Sequence, residues 1–226
     1  MSGAPALSVE VWSDVVCPWC FIGQRRLAKA LDELRADADF ALDVEVAYRP
    51  FQLDPGAPHS AEPVVDVYAR KFGGPERAAR LIAHVTEIAA GEGIELHLER
   101  AMRANTADAH RLLWWVLWQH GAELQAALNE SLMTAYFCDG EYIADPAVLT
   151  ARAVACGLDG RDVRRMLDEE TGLEALAVGV ERAGELGITG VPAYLIDRRW
   201  TIPGAQDPAV FVAAFRRLAA KRVTAP

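Results

Sequence analysis

Cysteine is scarce in this chain of 226 residues, and long apolar runs are absent. Four cysteines are too few for a disulfide scaffold in a chain of this size, so the sequence favours the reducing cytoplasm. The longest apolar stretch runs only from Leu112 to Trp118, far short of the ~20 residues that cross a bilayer. No membrane partner is therefore expected.

Positive charge is also in deficit, with 23 basic against 32 acidic side chains and a formal net charge of −9. Such a balance argues against a nucleic-acid or anionic-membrane surface. The N-terminal stretch from Met1 to Ser8 has neither a basic region nor an apolar core, so no export signal is expected. A hydrophobic content of 52% predicts an ordinary globular core that needs no disulfides or metals.

Two of the four cysteines stand three positions apart, in Cys17-Pro18-Trp19-Cys20. An apolar, β-branched run precedes this motif and a helical pattern follows it, so the motif is predicted at a strand-to-helix junction. Unpaired N–H groups and partial positive charge at a helix start favour a thiolate, which assigns Cys17 as the nucleophile and Cys20 as the resolving thiol. Pro18 suits the first helical position.

A lone CxxC also occurs as half of a zinc site or as a pair of inert buried thiols. Zinc needs four ligands, and the five histidines lack the paired spacing that would complete such a site. Redox chemistry is therefore favoured, and no metal is expected. The other cysteines, Cys138 and Cys156, lie on different predicted helices and are expected to be small buried groups, with a second, regulatory disulfide as the alternative.

The order of predicted elements is βαβ, a long helical interval, and then αββα. The second strand, within 41–53 and ending near Pro50, is predicted to lie parallel to the first. In the helical interval, the stretch from Leu112 to Trp118 is apolar all round and predicts a helix buried on most sides. Residues 1–61 and 171–226 together match one small α/β domain, and residues 62–170 are predicted to be an inserted helical domain.

A further motif, Gly190-Val191-Pro192-Ala193, opens the predicted third strand. Together with the CxxC and the element order, it resembles the thioredoxin fold, and the helical insertion resembles the DsbA family within that fold. Other stretches look like the cytoplasmic FrnE-type branch, and the resemblance runs from near residue 9 to near residue 210. These stretches are Ser13 to Cys20, Tyr48 to Leu53, Asn105-Thr106, Ala109 to Leu112, Gly190 to Pro192 and Gly204 to Gln206.

The resemblance implies an α/β, thioredoxin-like enzyme that exchanges thiols and disulfides. In that fold the proline facing the CxxC is cis, which carries Pro192 over to the site and Val191 as the backbone that docks substrate. The same superfamily includes glutathione-dependent 2-hydroxychromene-2-carboxylate isomerases and kappa-class glutathione transferases, in which a serine typically replaces the first cysteine. The presence of Cys17 with Cys20 favours dithiol chemistry.

Several residues near the motif have weaker assignments. Strong oxidants of this fold can place a histidine between the cysteines, whereas Trp19 supplies no charge, so a weaker oxidant is predicted. Asp14 is expected to form a turn, with repulsion of the thiolate or proton transfer as the alternative. His110 and His120 are expected to be core or surface side chains, with an approach of either to the active site as the alternative.

Three functions stay open at this stage. The leading one is a thiol:disulfide oxidoreductase that acts on proteins or small thiols through the Cys17–Cys20 disulfide, with no other cofactor and an unidentified redox recycling partner. The second is a glutathione-dependent isomerase or transferase acting on an aromatic or polyketide-like small molecule, with glutathione as co-substrate. The third is a redox-responsive holdase in which the helical insertion binds unfolded clients.

Overall fold

The structure is a computed structural model that describes residues 6–38, 40, 42–57 and 61–223. Met1, in the N-terminal stretch considered for an export signal, Ala41, at the start of the predicted second strand, and His59, one of the five histidines, lie outside these ranges. Among the helices of the described residues, none is long and apolar enough to span a membrane.

The described residues form strands and helices in a mixed order. Strands occupy Ala6–Ser13 (β1), Asp43–Pro50 (β2), Glu62–Pro63 (β3), Met102–Arg103 (β4), Ala193–Ile196 (β5) and Trp200–Pro203 (β6). Helices occupy Pro18–Ala36 (α1), Val64–Phe72 (α2), Pro75–Gly91 (α3), Ala107–His120 (α4), Ala122–Thr134 (α5), Pro146–Ala155 (α6), Gly160–Asp168 (α7), Leu173–Glu185 (α8) and Pro208–Val223 (α9). A π-helical turn, Ala135–Asp139, continues α5.

Four strands form the main sheet in the order β2-β1-β5-β6. The pairing of β1 with β2 is parallel, with Val9 opposite Val46, which confirms the predicted βαβ unit. Strand β5 runs antiparallel to β1, and Trp12 lies opposite Ala193. This pairing brings the start of β5 beside the end of β1, although the two are far apart in the sequence.

Alternation along β1 sends its side chains to both faces of the sheet. On one face, Leu7, Val9 and Val11 pack against α1 and α9. On the other face, Trp12 packs with Leu195 and with residues of α8. The sheet is therefore the central layer, and α1 is fixed to it along an apolar stripe.

The boundaries of the strands differ from the predicted ones next to the motif. The apolar run was expected to continue as strand to residue 16, but β1 ends at Ser13 because the Cys17 N–H donates to the Asp14 carbonyl at 3.0 Å and closes a turn. The third strand begins at Ala193 and not at Val191. Both changes leave non-strand backbone at the point where the two segments meet.

Helices α2 to α7 pack around a second apolar core that also contains Phe21 and Ile22 of α1. Within this interval, β3 and β4 form a short antiparallel pair that the sequence pattern did not indicate. The prediction that α4 is buried on most sides is wrong for its last turn, because Trp118 is 70% exposed and stacks on Trp114. The division at residues 61/62 and 170/171 stays a prediction.

The outer edge of β2 is closed by a side chain of α5. The Gln125 carbonyl oxygen accepts from the Tyr48 N–H at 2.8 Å, and the Gln125 amide donates to the Tyr48 carbonyl at 2.9 Å. These two bonds imitate those of a neighbouring strand. They hold the end of β2 in place just before the chain passes beneath the cysteine motif.

Candidate active site

Cys17 is the residue that precedes the first turn of α1. Its backbone is extended, and its carbonyl accepts from the N–H groups of Cys20 at 3.0 Å and Phe21 at 3.3 Å. Pro18 occupies the start of the helix as predicted, and the first turn holds no acidic side chain. The Cys17 sulfur therefore lies at the N-terminal end of a 19-residue helix. The partial positive charge at such an end favours a thiolate.

Cys20 lies one turn further along and is 2% exposed. Burial raises the pKa of the Cys20 thiol well above its ordinary value, and the neighbouring Cys17 sulfur raises it further. Weaker contacts from the Asp14 backbone and the Ser13 hydroxyl act in the opposite direction. Cys20 therefore keeps its proton until it reacts, which suits a thiol that acts second.

The structure brings the segment before β5 against Cys17. The Val191–Pro192 peptide bond is cis, and the Val191 carbonyl oxygen lies 3.8 Å from the Cys17 sulfur. The Pro192 carbonyl accepts from the Gly204 N–H at 2.8 Å, which ties this segment to the end of β6. Cys17, Cys20, Val191 and Pro192 thus form one site, as they do in the predicted set.

Gly23 permits the close approach of α1 to this segment. A Cβ atom at position 23 would lie 2.3 Å from the Tyr194 hydroxyl and 3.0 Å from Cγ of Pro192. Among the described residues, the buried Tyr194 hydroxyl has no hydrogen-bond partner. The sequence analysis missed Gly23, although a glycine inside a strong helical pattern is a signal for close packing.

Trp19 forms the exposed rim of the site, with 37% of its surface accessible. Its ring centroid lies 6.5 Å from that of His84, an exposed side chain of α3. The sequence analysis did not connect these two residues, because nothing in the local pattern of α3 marks His84. The rim therefore carries a titratable neighbour from the helical interval.

A buried carboxylate lies beneath the motif. Asp14 has no exposed surface, and its carboxylate accepts from the Leu53 N–H at 2.8 Å. His110 Nε2, from α4, lies 3.3 Å from the other Asp14 oxygen and 3.1 Å from the Phe51 carbonyl oxygen. Asp14 forms the expected turn through its backbone, and His110 is both a buried histidine and, as the alternative had it, a neighbour of the cysteine motif.

Two phenols border the same carboxylate. Burial raises the pKa of Tyr68, on α2, and the negative charges of Cys17 and Asp14 raise it further. Burial likewise raises the pKa of Tyr136, in the π-helical turn, followed by the effects of Tyr68 and Asp14. The helical interval therefore supplies Tyr68, His110 and Tyr136 around this carboxylate, in addition to His84 at the rim.

The remaining cysteines lie elsewhere. Cys138 is in the π-helical turn, Cys156 ends α6, and both are free and half-buried. Burial raises the pKa of Cys138, and the charge of Asp139 adds to this effect. The two thiols are thus less buried than expected, and a second disulfide between them stays the untested alternative.

Comparisons with known proteins agree with this geometry. A family model described as a DSBA-like thioredoxin domain matches residues 8–216. A probable DsbA oxidoreductase from Streptomyces coelicolor is 32% identical and superimposes with a TM-score of 0.85, over 97% of this chain and 92% of that one. The uncharacterized protein YwbO from Bacillus subtilis is 27% identical, over 90% of this chain and 92% of its own length.

A more distant structure shares the fold. The cytosolic disulfide reductase DsbM from Pseudomonas aeruginosa, solved with GSH, is 21% identical, with a TM-score of 0.61 over 96% of this chain and 100% of that one.

Proposed function

Because this chain belongs to the family of DSBA-like thioredoxin domains, we propose that it is a thiol:disulfide oxidoreductase that uses Cys17 and Cys20. The predicted thioredoxin-like fold with a helical insertion is confirmed by the same match and by the Streptomyces structure. One observation carries the proposal: a cysteine at a helix start lies 3.8 Å from the Val191 carbonyl, with a second buried thiol behind it. Membership of the FrnE-type branch stays a prediction.

In the reducing direction, the Cys17 thiolate attacks one sulfur of a substrate disulfide. A Cys17–substrate disulfide forms, and the other substrate sulfur leaves as a thiolate that takes up a proton. Cys20 then loses its proton and attacks the Cys17 sulfur, which closes the Cys17–Cys20 disulfide and releases the second substrate thiol. The raised pKa of Cys20 supports this order, because a protonated Cys20 does not compete for the first attack.

In the oxidising direction, a substrate thiolate attacks Cys17 of the disulfide and Cys20 leaves. A second substrate thiol resolves the mixed disulfide, so both enzyme thiols end reduced and the substrate gains a disulfide. The Val191 carbonyl faces the reacting sulfur and is available to accept an N–H from a bound extended chain. Trp19, exposed at the rim, is proposed to contact that chain and to adjust the redox balance with Pro18.

No cofactor beyond the cysteine pair is proposed. Glutathione is the proposed small-thiol co-substrate, and the DsbM structure solved with GSH supports this choice at the level of the shared fold. A redox recycling partner of unknown identity completes the cycle. The proposed setting is the cytoplasm, on the argument that four cysteines in a chain of this size suit a reducing compartment.

The test compares the reduction of insulin disulfides by wild type, Cys17→Ser and Cys20→Ser. Both variants are expected to lose turnover, and Cys20→Ser is expected to accumulate a mixed disulfide between Cys17 and substrate, visible by mass spectrometry, because nothing resolves it. Cys138→Ser and Cys156→Ser are matched controls and keep turnover.

Other outcomes favour the alternatives. Glutathione-dependent isomerisation or transfer that survives Cys20→Ser, with no trapped adduct, supports a single-cysteine enzyme. Protection of unfolded clients that survives both substitutions supports a holdase. Full insulin turnover in either single variant contradicts the dithiol mechanism.

A further inference from the structure

The buried pair formed by Asp14 and His110 has no part in the thiol-exchange steps above. Asp14 lies in the turn that leads into Cys17, and its main-chain carbonyl accepts from the Cys17 N–H at 3.0 Å. Its side chain is fully buried: one carboxylate oxygen accepts from the Leu53 N–H, and the other lies 3.3 Å from His110 Nε2 and has no hydrogen-bond partner among the described residues. A carboxylate in this position places negative charge next to a site that must itself become negative.

That placement carries an electrostatic conflict. A thiolate and a carboxylate disfavour each other, and the effect is stronger in a buried site than in water. Tyr68 senses both charges, because Cys17 and Asp14 each raise its pKa, so the two groups share one environment. Reduction of the disulfide therefore creates charge that a neighbouring cation would offset.

His110 is the side chain that can become that cation. Its Nε2 lies near the Phe51 carbonyl and the Asp14 carboxylate, and both of these oxygens can only accept. Nε2 therefore carries a proton in the neutral and the charged imidazole alike, and the contact with Asp14 is the same in both. Only the net charge of the pair changes when the second ring nitrogen is protonated.

The other groups that face the pair do not supply positive charge. Tyr68 and Tyr136 are phenols whose raised pKa keeps them neutral. Arg111, the next residue on α4, points away, since it donates to the carbonyls of Met166, Glu169 and Thr171 and to Asp108. The nearby charges of Asp54 and Arg103 pair with each other at 2.7 Å.

We propose that His110 is a positioning residue for the cysteine pair: it acts through the Asp14 carboxylate and makes the stability of the reduced form depend on the charge of its imidazole. The proposal rests on the proposed function, because it concerns the Cys17–Cys20 couple. It assigns to the helical interval a direct influence on the redox equilibrium.

The test measures the equilibrium between the Cys17–Cys20 disulfide and glutathione from about pH 5.5 to about pH 8.5, the range in which histidine changes charge. His110→Gln keeps an N–H donor but cannot become charged. It is expected to shift the equilibrium toward the disulfide roughly fivefold at about pH 6 and to have little effect at about pH 8.5, because an ordinary histidine is mostly charged at the first pH and neutral at the second.

Asp14→Asn removes the negative charge and keeps an acceptor for the Leu53 N–H. It is expected to shift the equilibrium toward the dithiol by about tenfold, equal to about 30 mV for this two-electron couple. In the Asp14→Asn background, His110→Gln is expected to have little further effect. His120→Gln, at the exposed end of the same helix, is the matched control and changes nothing.

Two results overturn the proposal: a His110→Gln shift of equal size at both pH values, or a shift of equal size with and without Asp14. If His110→Gln does not fold, a titration of the wild-type protein tests the same proposal. Linkage requires the His110 imidazole, followed by NMR, to titrate at a higher pH in the reduced protein than in the oxidised one. Identical titration in both forms overturns the proposal. Failure of the proposed function is distinguishable, because the wild-type disulfide would then not exchange with glutathione at all.

Discussion

Replacement of Gly23 by alanine tests how tightly α1 packs against the segment that opposes the cysteines. In a helix interior, glycine to alanine gains about 1 kcal/mol of stability. At Gly23 the new Cβ would lie 2.3 Å from the Tyr194 hydroxyl and 3.0 Å from Cγ of Pro192, so atoms must move. Such overpacking costs roughly 1–3 kcal/mol. The difference between the two is a net destabilisation of up to about 2 kcal/mol.

Gly184 in α8 is the matched control. It also has helical backbone, although it lies in the last turn of α8, and a Cβ there would meet no atom within 4 Å. Gly184→Ala is therefore expected to stabilise the protein by up to about 1 kcal/mol, so the same substitution has opposite signs at the two sites. Urea unfolding measures both, and the midpoint suffices if the slope is unchanged.

A second substitution identifies the cause of the effect at Gly23. Tyr194→Phe removes the hydroxyl that the new methyl group would strike, and that buried hydroxyl has no partner among the described residues. The double variant should regain part of the lost stability, while Tyr194→Phe alone is close to neutral. Gly23→Ala should also lower insulin turnover by more than the unfolded fraction of the variant explains. The reason is that the second atom the new Cβ would meet belongs to Pro192, in the site itself. Equal stability of the Gly23→Ala and Gly184→Ala variants, with full turnover, would refute the reasoning.

Three more predictions concern the rim, a half-buried cluster of ion pairs and the distant cysteines. Trp19→His is expected to raise the reduction potential by roughly 30 mV or more, because an added cation stabilises the thiolate; equilibration with glutathione measures it, and an unchanged or lower potential contradicts the weaker-oxidant assignment. The second prediction concerns Glu92, whose pKa lies below its ordinary 4.5. Burial alone would raise this pKa, but hydrogen bonds from Lys29 and Arg26 of α1 lower it. Glu92→Gln should therefore destabilise the protein by about 1 kcal/mol at neutral pH. The difference from wild type should be complete above pH 4.5 and fade as the pH falls through the lowered pKa, which urea unfolding at each pH measures. A difference that does not depend on pH would show that the charge of Glu92 is not its cause. After mild oxidation and alkylation, mass spectrometry should find Cys138 and Cys156 as separate alkylated thiols, since both are half-buried and free; a linked peptide pair would establish a second disulfide.

Local patterns predicted the parts of the fold that depend on neighbours in the sequence. The parallel βαβ unit and the position of the cysteines at the start of α1 follow from an apolar run next to a helical period. The apolar pattern of α4 predicted the helix correctly but not the burial of its last turn. A run that is apolar on all sides does not indicate where along the helix the protein core ends. Trp118 lies beyond that end and covers part of its surface by stacking on Trp114.

The rest of the site depends on contacts between distant segments. Cys17 and Val191 are 174 positions apart, and only the resemblance to a known fold suggested that they meet. His110 approaches Asp14 because α4 crosses the chain just after β2, and no periodicity in α4 encodes that crossing. Gly23 and Tyr194 meet for the same reason.

A further group of long-range contacts shares one segment, the stretch that ends β2 and passes beneath the motif. Gln125 of α5 binds both backbone groups of Tyr48, His110 of α4 meets the Phe51 carbonyl, and the Leu53 N–H binds the Asp14 carboxylate. Two helices of the helical interval thus hold the backbone that follows β2, and this backbone in turn binds the Asp14 carboxylate. Asp14 belongs to the turn that leads into Cys17. A change in α4 or α5 that loosens this backbone would move the carboxylate relative to the thiolate. On the proposed role of His110, the redox properties of the CPWC motif then depend on helices that lie a hundred positions away in the sequence, and they can be altered with the motif itself unchanged.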